Sequence, residues 1–158
     1  MPRQGREAVD ITAFESELND LLVKAYGSID RLEEQMLRTT SKHQVSIREV
    51  HLMDTVAQQR QACTISCLSA SQGISLPSVT AAVNKLCRKG FVEKQRSPSD
   101  GRVVHVVLTH EGARIVTAHR YFHRHMVRAV TKSLTRQERE AMLSGVRKLN
   151  QFFDEELH

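Results

Sequence analysis

Residues 75–112 read SLPSVTAAVNKLCRKGFVEKQRSPSDGRVVHVVLTHEG, and their apolar spacing changes from helical to extended within this stretch. Ser75 is a common type of helix N-cap, and Pro77 falls in the first turn, where a missing N–H costs little. Gly90 is a typical helix end. These signals predict a helix that begins after Ser75 and ends before Gly90.

The extended part of the stretch predicts a β-hairpin. β-Branched residues are frequent in the two runs at 91–96 and 103–108, which flank the turn-rich segment 97–101. Residues 84–102 include six basic and two acidic side chains. A surplus of this kind beside one helix predicts a negatively charged partner, although a solvated hairpin that only maintains solubility is the alternative.

Three further helices are predicted before this stretch. Ser46 and Glu49 have the spacing of a capping box, and Thr64 is a candidate N-cap for a short helix that Gly73 ends. The first helix is longer, because apolar residues recur at steps of three and four over 11–36. So long a stripe in so small a chain predicts packing against a second subunit.

Two more helices are predicted after the hairpin. Thr109 with Gly112 begins a long helix that extends to about Ser133, and Thr135 with Glu138 forms a second capping box. The order is therefore α-α-α-α-β-β-α-α. We predict a mainly α fold with a small β-hairpin, made of a winged helix-turn-helix lobe (41–111) and a helical dimerisation lobe (10–40 and 112–157).

Composition restricts the class of protein. The 158 residues are 40% hydrophobic and carry a net charge of +5, with a pI near 9.4, which suits one compact domain or one with a small lobe. Residues 1–10 lack the apolar run of a signal peptide. The uncharged stretch 61–84 contains seven Ser and Thr hydroxyls, which a membrane span would leave unsatisfied. We expect a cytoplasmic protein with no membrane partner.

The helix after Ser75 carries small polar residues that suit insertion into the major groove of DNA, so we predict double-stranded DNA as the partner. Asn84 is suited to pairing with adenine. Arg102 is suited to a minor groove, with Asp100 placed to orient it. The DNA-binding candidates are Ser75, Ser78, Thr80, Ala81, Asn84, Lys85, Arg96, Ser97, Asp100 and Arg102. A helical interaction protein that does not bind DNA is the rival interpretation.

The same residues resemble the MarR family of bacterial transcriptional regulators. The resemblance covers nearly all of the chain and is strongest at 79–92, Arg96-Ser97, Asp100-Gly101-Arg102 and Leu108-Thr109 with Gly112. The family often has a second arginine where this chain has Gly101. The resemblance implies a homodimer in which the first and the last two helices intertwine. Its two winged lobes would hold a palindromic operator with half-sites about 10 bp apart on one DNA face.

Residues 46–51, 102–105, 122–127 and 151–152 resemble the FabT branch of the family. That likeness implies a repressor of fatty-acid biosynthesis genes with long-chain acyl-acyl carrier protein as corepressor. An acyl chain needs an apolar slot, for which the candidates are Leu22, Ile29, Met53, Val56, Ile115 and Phe122. The acidic carrier needs a basic surface, for which the candidates are Arg114, Arg120, Arg124 and Arg128. Ordinary dimer core and a solvated helix face are the alternative interpretations of these two sets.

The alternative function is a MarR-type repressor released by a small aromatic ligand or by cysteine oxidation. The positions of Cys63, Cys67 and Cys87 favour structural thiols instead. His119 and His123 lie one helical turn apart, but without a nearby carboxylate or thiolate they make a weak metal site. We expect solvated or carrier-facing imidazoles and no metal. No catalytic motif is present in the sequence, so neither an enzyme nor a cofactor is expected.

Overall fold

A computed structural model describes residues 4–40, 45–59 and 63–157, with side chains described from Thr12 onward. Six helices and a two-stranded sheet lie within these ranges, in the predicted order, which confirms the fold class. The elements are α1 (Gln4–Thr40), α2 (Ile47–Gln58), α3 (Ile65–Gln72), α4 (Leu76–Arg88), β1 (Val92–Arg96), β2 (Val104–Leu108), α5 (His110–Thr131) and α6 (Arg136–Leu157). Helix α1 extends beyond the predicted stripe at both ends; the side chain of Ile11 lies outside the described ones.

The predicted N-caps are confirmed. The Ser46 backbone N–H donates to Glu49 Oε2 over 2.8 Å, and the Glu49 N–H donates to Ser46 Oγ, which completes the capping box of α2. Thr64 and Ser75 accept backbone N–H groups in the first turns of α3 and α4. Each contact supplies a partner for an N–H that the helix itself leaves unpaired.

The hairpin has a regular antiparallel register, from Val92 opposite Leu108 to Arg96 opposite Val104. A bridge between Thr64 and His105 attaches β2 to the residues just before α3. This bridge connects the sheet to the segment that leads into α3.

The core contains apolar residues from the end of α1 and from every element between α2 and the beginning of α5. In α4, Val79, Val83 and Leu86 recur at steps of three and four and are fully buried. Phe91 is also fully buried, at the junction of α4 and β1. The buried apolar residues are Leu37, Val50, Leu52, Met53, Val56, Cys63, Leu68, Val79, Val83, Leu86, Phe91, Val92, Val106, Ile115 and Val116. Because α4 buries this side, its opposite side is left exposed.

The chain divides into two compact units, Met1–His119 and Arg120–His158. In the first unit, α1 exposes large apolar side chains; the most exposed are Phe14, Val23 and Tyr26. In the second, no residue of α6 is buried, and Phe152 and Phe153 are about half exposed. Much apolar surface is therefore uncovered in a single chain. None of the described helices has the length and apolar character needed to cross a membrane.

Candidate nucleic-acid interface

Helices α3 and α4 form the helix-turn-helix that the sequence predicts. Gly73 ends α3 in the left-handed conformation, with φ of 61°, which glycine adopts without steric cost. The Ser69 hydroxyl then donates to the Ile74 carbonyl oxygen over 2.7 Å and closes the turn. Leu68 and Val79 are both fully buried. The turn therefore fixes how α4 is presented to solvent.

The outer face of α4 carries short polar side chains, as predicted. Ser75, Ser78 and Ala81 are exposed, while Thr80 is half-buried and its hydroxyl donates to the Leu76 carbonyl oxygen over 2.8 Å. The Ser75 and Ser78 hydroxyl oxygens lie 2.9 Å apart at the start of the helix. Short side chains of this kind allow a helix backbone to approach base edges and phosphates closely.

Asn84 is exposed, but its side chain already has a partner. Lys94 Nζ, on β1, lies 2.7 Å from Asn84 Oδ1. An adenine contact uses the oxygen and the nitrogen of the amide together, and the second lone pair of Asn84 Oδ1 can accept from adenine while Lys94 occupies the first. Lys94 adds N–H donors beside the amide, which fit phosphate oxygens or the acceptor edge of guanine. Lys94 contributed to the predicted basic surplus but was not among the predicted site residues.

The wing tip is organised by Ser97 and Asp100. The Ser97 hydroxyl accepts the backbone N–H groups of Ser99 and Asp100. Asp100 Oδ1 accepts the backbone N–H of Arg102 over 2.9 Å. Asp100 therefore orients Arg102 through its backbone, and both Arg102 and Arg96 are exposed.

Glu49 connects α2 to the last turn of α4, a role that its capping position concealed in the sequence. Lys89 Nζ lies 2.8 Å from both carboxylate oxygens, and Lys85 Nζ lies 3.1 Å from Oε1. Burial by itself would raise the pKa of Glu49. Hydrogen bonds from Lys89, the Ser46 backbone and Lys85 outweigh it and hold the pKa below its usual value. Glu49 is therefore ionised at neutral pH.

The four carrier-docking candidates differ in their contacts and in the unit to which they belong. Arg114 is bound already: its guanidinium donates to Glu111 Oε1 and to the Thr40 carbonyl oxygen, each over 2.6 Å. In the second unit, Arg120, Arg124 and Arg128 are exposed at four-residue steps along α5. That spacing places three basic side chains on one side of the helix.

The effector-pocket candidates differ in how deeply they are buried. Met53, Val56 and Ile115 are buried within the core of the first unit. Leu22 is 42% exposed, Ile29 is half-buried, and Phe122, in the second unit, is half-buried too. Three of the six therefore fill the core of the single chain.

His119 differs from its expected solvated state, and that expectation was wrong. The residue is 6% exposed, and its Nε2 lies 3.1 Å from Glu33 Oε1. The ring also lies edge-on to His51, with centroids 5.4 Å apart. A carboxylate is therefore nearby after all, contributed by a residue 86 positions earlier on α1. His123, in the second unit, is half-buried with its ring against Phe122.

Cys63 lies in an environment that suppresses thiol reactivity. It is fully buried, and desolvation, with a smaller contribution from Cys67, raises its pKa to about 11. At neutral pH the group is a thiol, whereas the thiolate is the form that reacts with oxidants. Cys67 and Cys87 are half-buried. The setting of Cys63 supports the structural interpretation.

Comparison with known proteins identifies the family. The sequence pattern of the MarR family matches residues 45–104. The crystal structure of Streptococcus pneumoniae FabT in complex with DNA is similar at a TM-score of 0.81 and 32% identity, covering 89% of this chain and 98% of that one. The HTH-type transcriptional regulator YwhA of Bacillus subtilis is 26% identical over 134 residues, 85% of this chain and 93% of YwhA. A MarR family protein from Bacillus stearothermophilus shares the fold at a TM-score of 0.69 and 20% identity. With this helix-turn-helix, this wing and this degree of identity to FabT, the chain belongs to the MarR family.

Proposed function

We propose that the protein is a DNA-binding transcriptional repressor that acts as a homodimer on a pseudo-palindromic operator. The observation that carries this proposal is the exposed face of α4 beside a basic wing. Short polar side chains on α4 can approach base edges, while Arg96 and Arg102 are exposed on the hairpin, where they can meet a second groove or the backbone. Membership of the MarR family supports the same conclusion.

The homodimer is supported by the apolar surface left uncovered in one chain. Leu18, Leu21 and Leu22 on α1 are each more than 40% exposed, and Met142 and Val146 on α6 are also close to half exposed. Exposed apolar surface on this scale marks an interface in a water-soluble protein. A second copy is the occupant we propose, because a two-fold dimer matches a palindromic site.

Sedimentation equilibrium tests the dimer directly. We expect a mass twice that of the 17.9 kDa chain at micromolar concentration, without DNA present. A single-chain mass throughout the concentration range would contradict the homodimer.

The finer part of the proposal is control of fatty-acid biosynthesis genes with long-chain acyl-acyl carrier protein as corepressor. It is supported by the resemblance to the FabT branch and by 32% identity to Streptococcus pneumoniae FabT over nearly the whole of that chain. The row formed by Arg120, Arg124 and Arg128 has the charge needed to bind an acidic carrier. In the first unit, Leu22 is exposed and Ile29 is half-buried, so both are available to line an apolar slot for the acyl chain.

Fluorescence anisotropy of a duplex from a fatty-acid-synthesis promoter tests this function. We expect salt-sensitive binding that becomes tighter with the long-chain acylated carrier and stays unchanged with the bare carrier. Tight binding that is indifferent to the carrier would retain the repressor and remove the lipid corepressor. Weaker binding with a small aromatic compound or an oxidant would favour the alternative mode of release. Absence of salt-sensitive binding to this duplex and to the upstream region of the protein's own gene would contradict the DNA-binding function.

A further inference from the structure

Glu49, Lys85 and Lys89, here called the Glu49 cluster, join the first turn of α2 to the end of α4. The carboxylate is nearly inaccessible, with 8% of the side chain exposed, whereas Lys89 is 24% and Lys85 is 55% exposed. The cluster is therefore asymmetric: the negative charge lies inside and the positive charges extend toward solvent. Its three formal charges sum to +1, so one of the two lysine charges is compensated within the protein.

Lys85 lies on the same exposed side of α4 as Ser78, Ala81 and Arg88. Any polyanion bound along this side would meet Lys85 while that ammonium group is already paired with Glu49. Arg88, one helical turn from Lys85, has no ion pair among the residues that the structure describes. Lys85 and Arg88 therefore lie on the same face of α4, but in the described part of the chain only Lys85 is paired with an internal carboxylate.

We propose that Glu49 limits the affinity of the protein for non-operator DNA by holding Lys85 and Lys89 in an internal ion pair. The inference rests on the proposed DNA-binding function and identifies a positioning residue for it. Binding to arbitrary DNA sequences depends almost wholly on phosphate contacts by basic side chains. An internal carboxylate competes with phosphates for these lysines and leaves the contacts of Ser75 and Ser78 to base edges unaffected. The same carboxylate fixes the position from which Lys85 meets the DNA.

Glu49→Gln tests the proposal, because glutamine preserves the shape and the acceptor for the Ser46 N–H but removes the charge. For a duplex of random sequence, we expect binding about fivefold tighter at low salt. The slope of log affinity against log salt should become steeper by about 1, since one more cation is free for phosphate. A merely structural role predicts the opposite sign, because a loosened lobe binds DNA less well. An unchanged slope, or weaker binding with an unchanged or shallower slope, overturns the proposal.

Glu140→Gln is the matched control. Glu140 is also in an ion pair, since Arg136 Nε lies 2.9 Å from its carboxylate, but this pair is on α6 and outside the helix-turn-helix. Glu140→Gln changes the net charge by the same amount as Glu49→Gln. Because this change lies outside the helix-turn-helix, we expect the salt slope of the wild-type protein. If wild-type protein itself fails to bind the random duplex in a salt-dependent way, the proposed function has failed rather than this inference.

A second pair of variants covers the case in which Glu49→Gln does not fold, as judged by circular dichroism. Lys85→Gln removes a compensated cation and Arg88→Gln removes an uncompensated one from the same side of α4. We expect the loss in salt slope for Lys85→Gln to be less than half of that for Arg88→Gln. Equal losses, or a larger loss for Lys85→Gln, would show that Glu49 does not compensate Lys85.

Discussion

Replacing Gly112 with alanine should destabilise the protein by about 2 to 4 kcal/mol. A Cβ atom at this position would lie far inside van der Waals contact with the carbonyl oxygen of Phe91. That oxygen cannot move away, because it accepts the Thr109 backbone N–H over 3.0 Å and the Thr109 hydroxyl over 3.1 Å. Phe91 itself is fully buried in the core. The collision outweighs the roughly 1 kcal/mol by which alanine is the better helix former.

Urea unfolding monitored by circular dichroism measures this effect, and Gly101→Ala is its control. Gly101 lies in the wing with no atom within 4 Å of an added Cβ, and its φ is outside the left-handed region. Its replacement should leave stability unchanged or raise it by less than about 1 kcal/mol. If the free energy of unfolding of Gly112→Ala lies within about 0.5 kcal/mol of the wild-type value, the backbone at the junction of β2 and α5 can shift to accommodate a Cβ atom, and the prediction is wrong.

Replacing Arg102 with alanine should weaken DNA binding about tenfold, or 1.4 kcal/mol, and reduce the salt slope by about 1. The side chain is exposed at the wing tip, and its backbone N–H is held by Asp100. Removing an exposed charge from a tip that its neighbours organise should leave the fold intact. The loss would therefore report on a DNA contact. Fluorescence anisotropy at several salt concentrations measures both quantities.

Two variants make this result specific to the wing. Arg102→Lys retains the charge, so the salt slope should stay near the wild-type value even if affinity falls through loss of the planar guanidinium. Arg136→Ala removes the same charge from α6, where the side chain is 92% exposed, and should leave affinity unchanged. If Arg102→Ala binds as tightly as wild type, the wing does not contact DNA in the proposed way.

The winged helix-turn-helix was predictable because its signals are local. Ser46, Thr64 and Ser75 were each identified as N-caps from residues within three positions, and each caps its helix in the structure. Gly73 was identified as the turn residue for the same reason. A cap depends on the residue and its immediate neighbours, so distant folding changes it little.

The site itself was only partly predictable. The exposed residues of α4 follow from helical periodicity, since Val79, Val83 and Leu86 occupy the buried face and leave the remainder outside. The Asn84–Lys94 contact does not follow from it, because the contact depends on how β1 lies beside α4. For the same reason the residue type of Asn84 predicts an adenine contact, but only the fold shows that Lys94 also donates to its carbonyl oxygen.

Spacing along the chain was thus enough to establish the order of elements, the helix caps and the basic, exposed character of the α4–wing surface. Three-dimensional folding was needed to show which polar groups meet. Glu33 and His119 form a buried pair across 86 residues, and Glu49 binds Lys89 across 40. Gly112 was recognisable as part of a helix start, but only the fold shows that the Phe91 carbonyl oxygen lies where a Cβ atom would be. Local patterns report propensity and periodicity, whereas contacts between distant residues depend on how the elements pack.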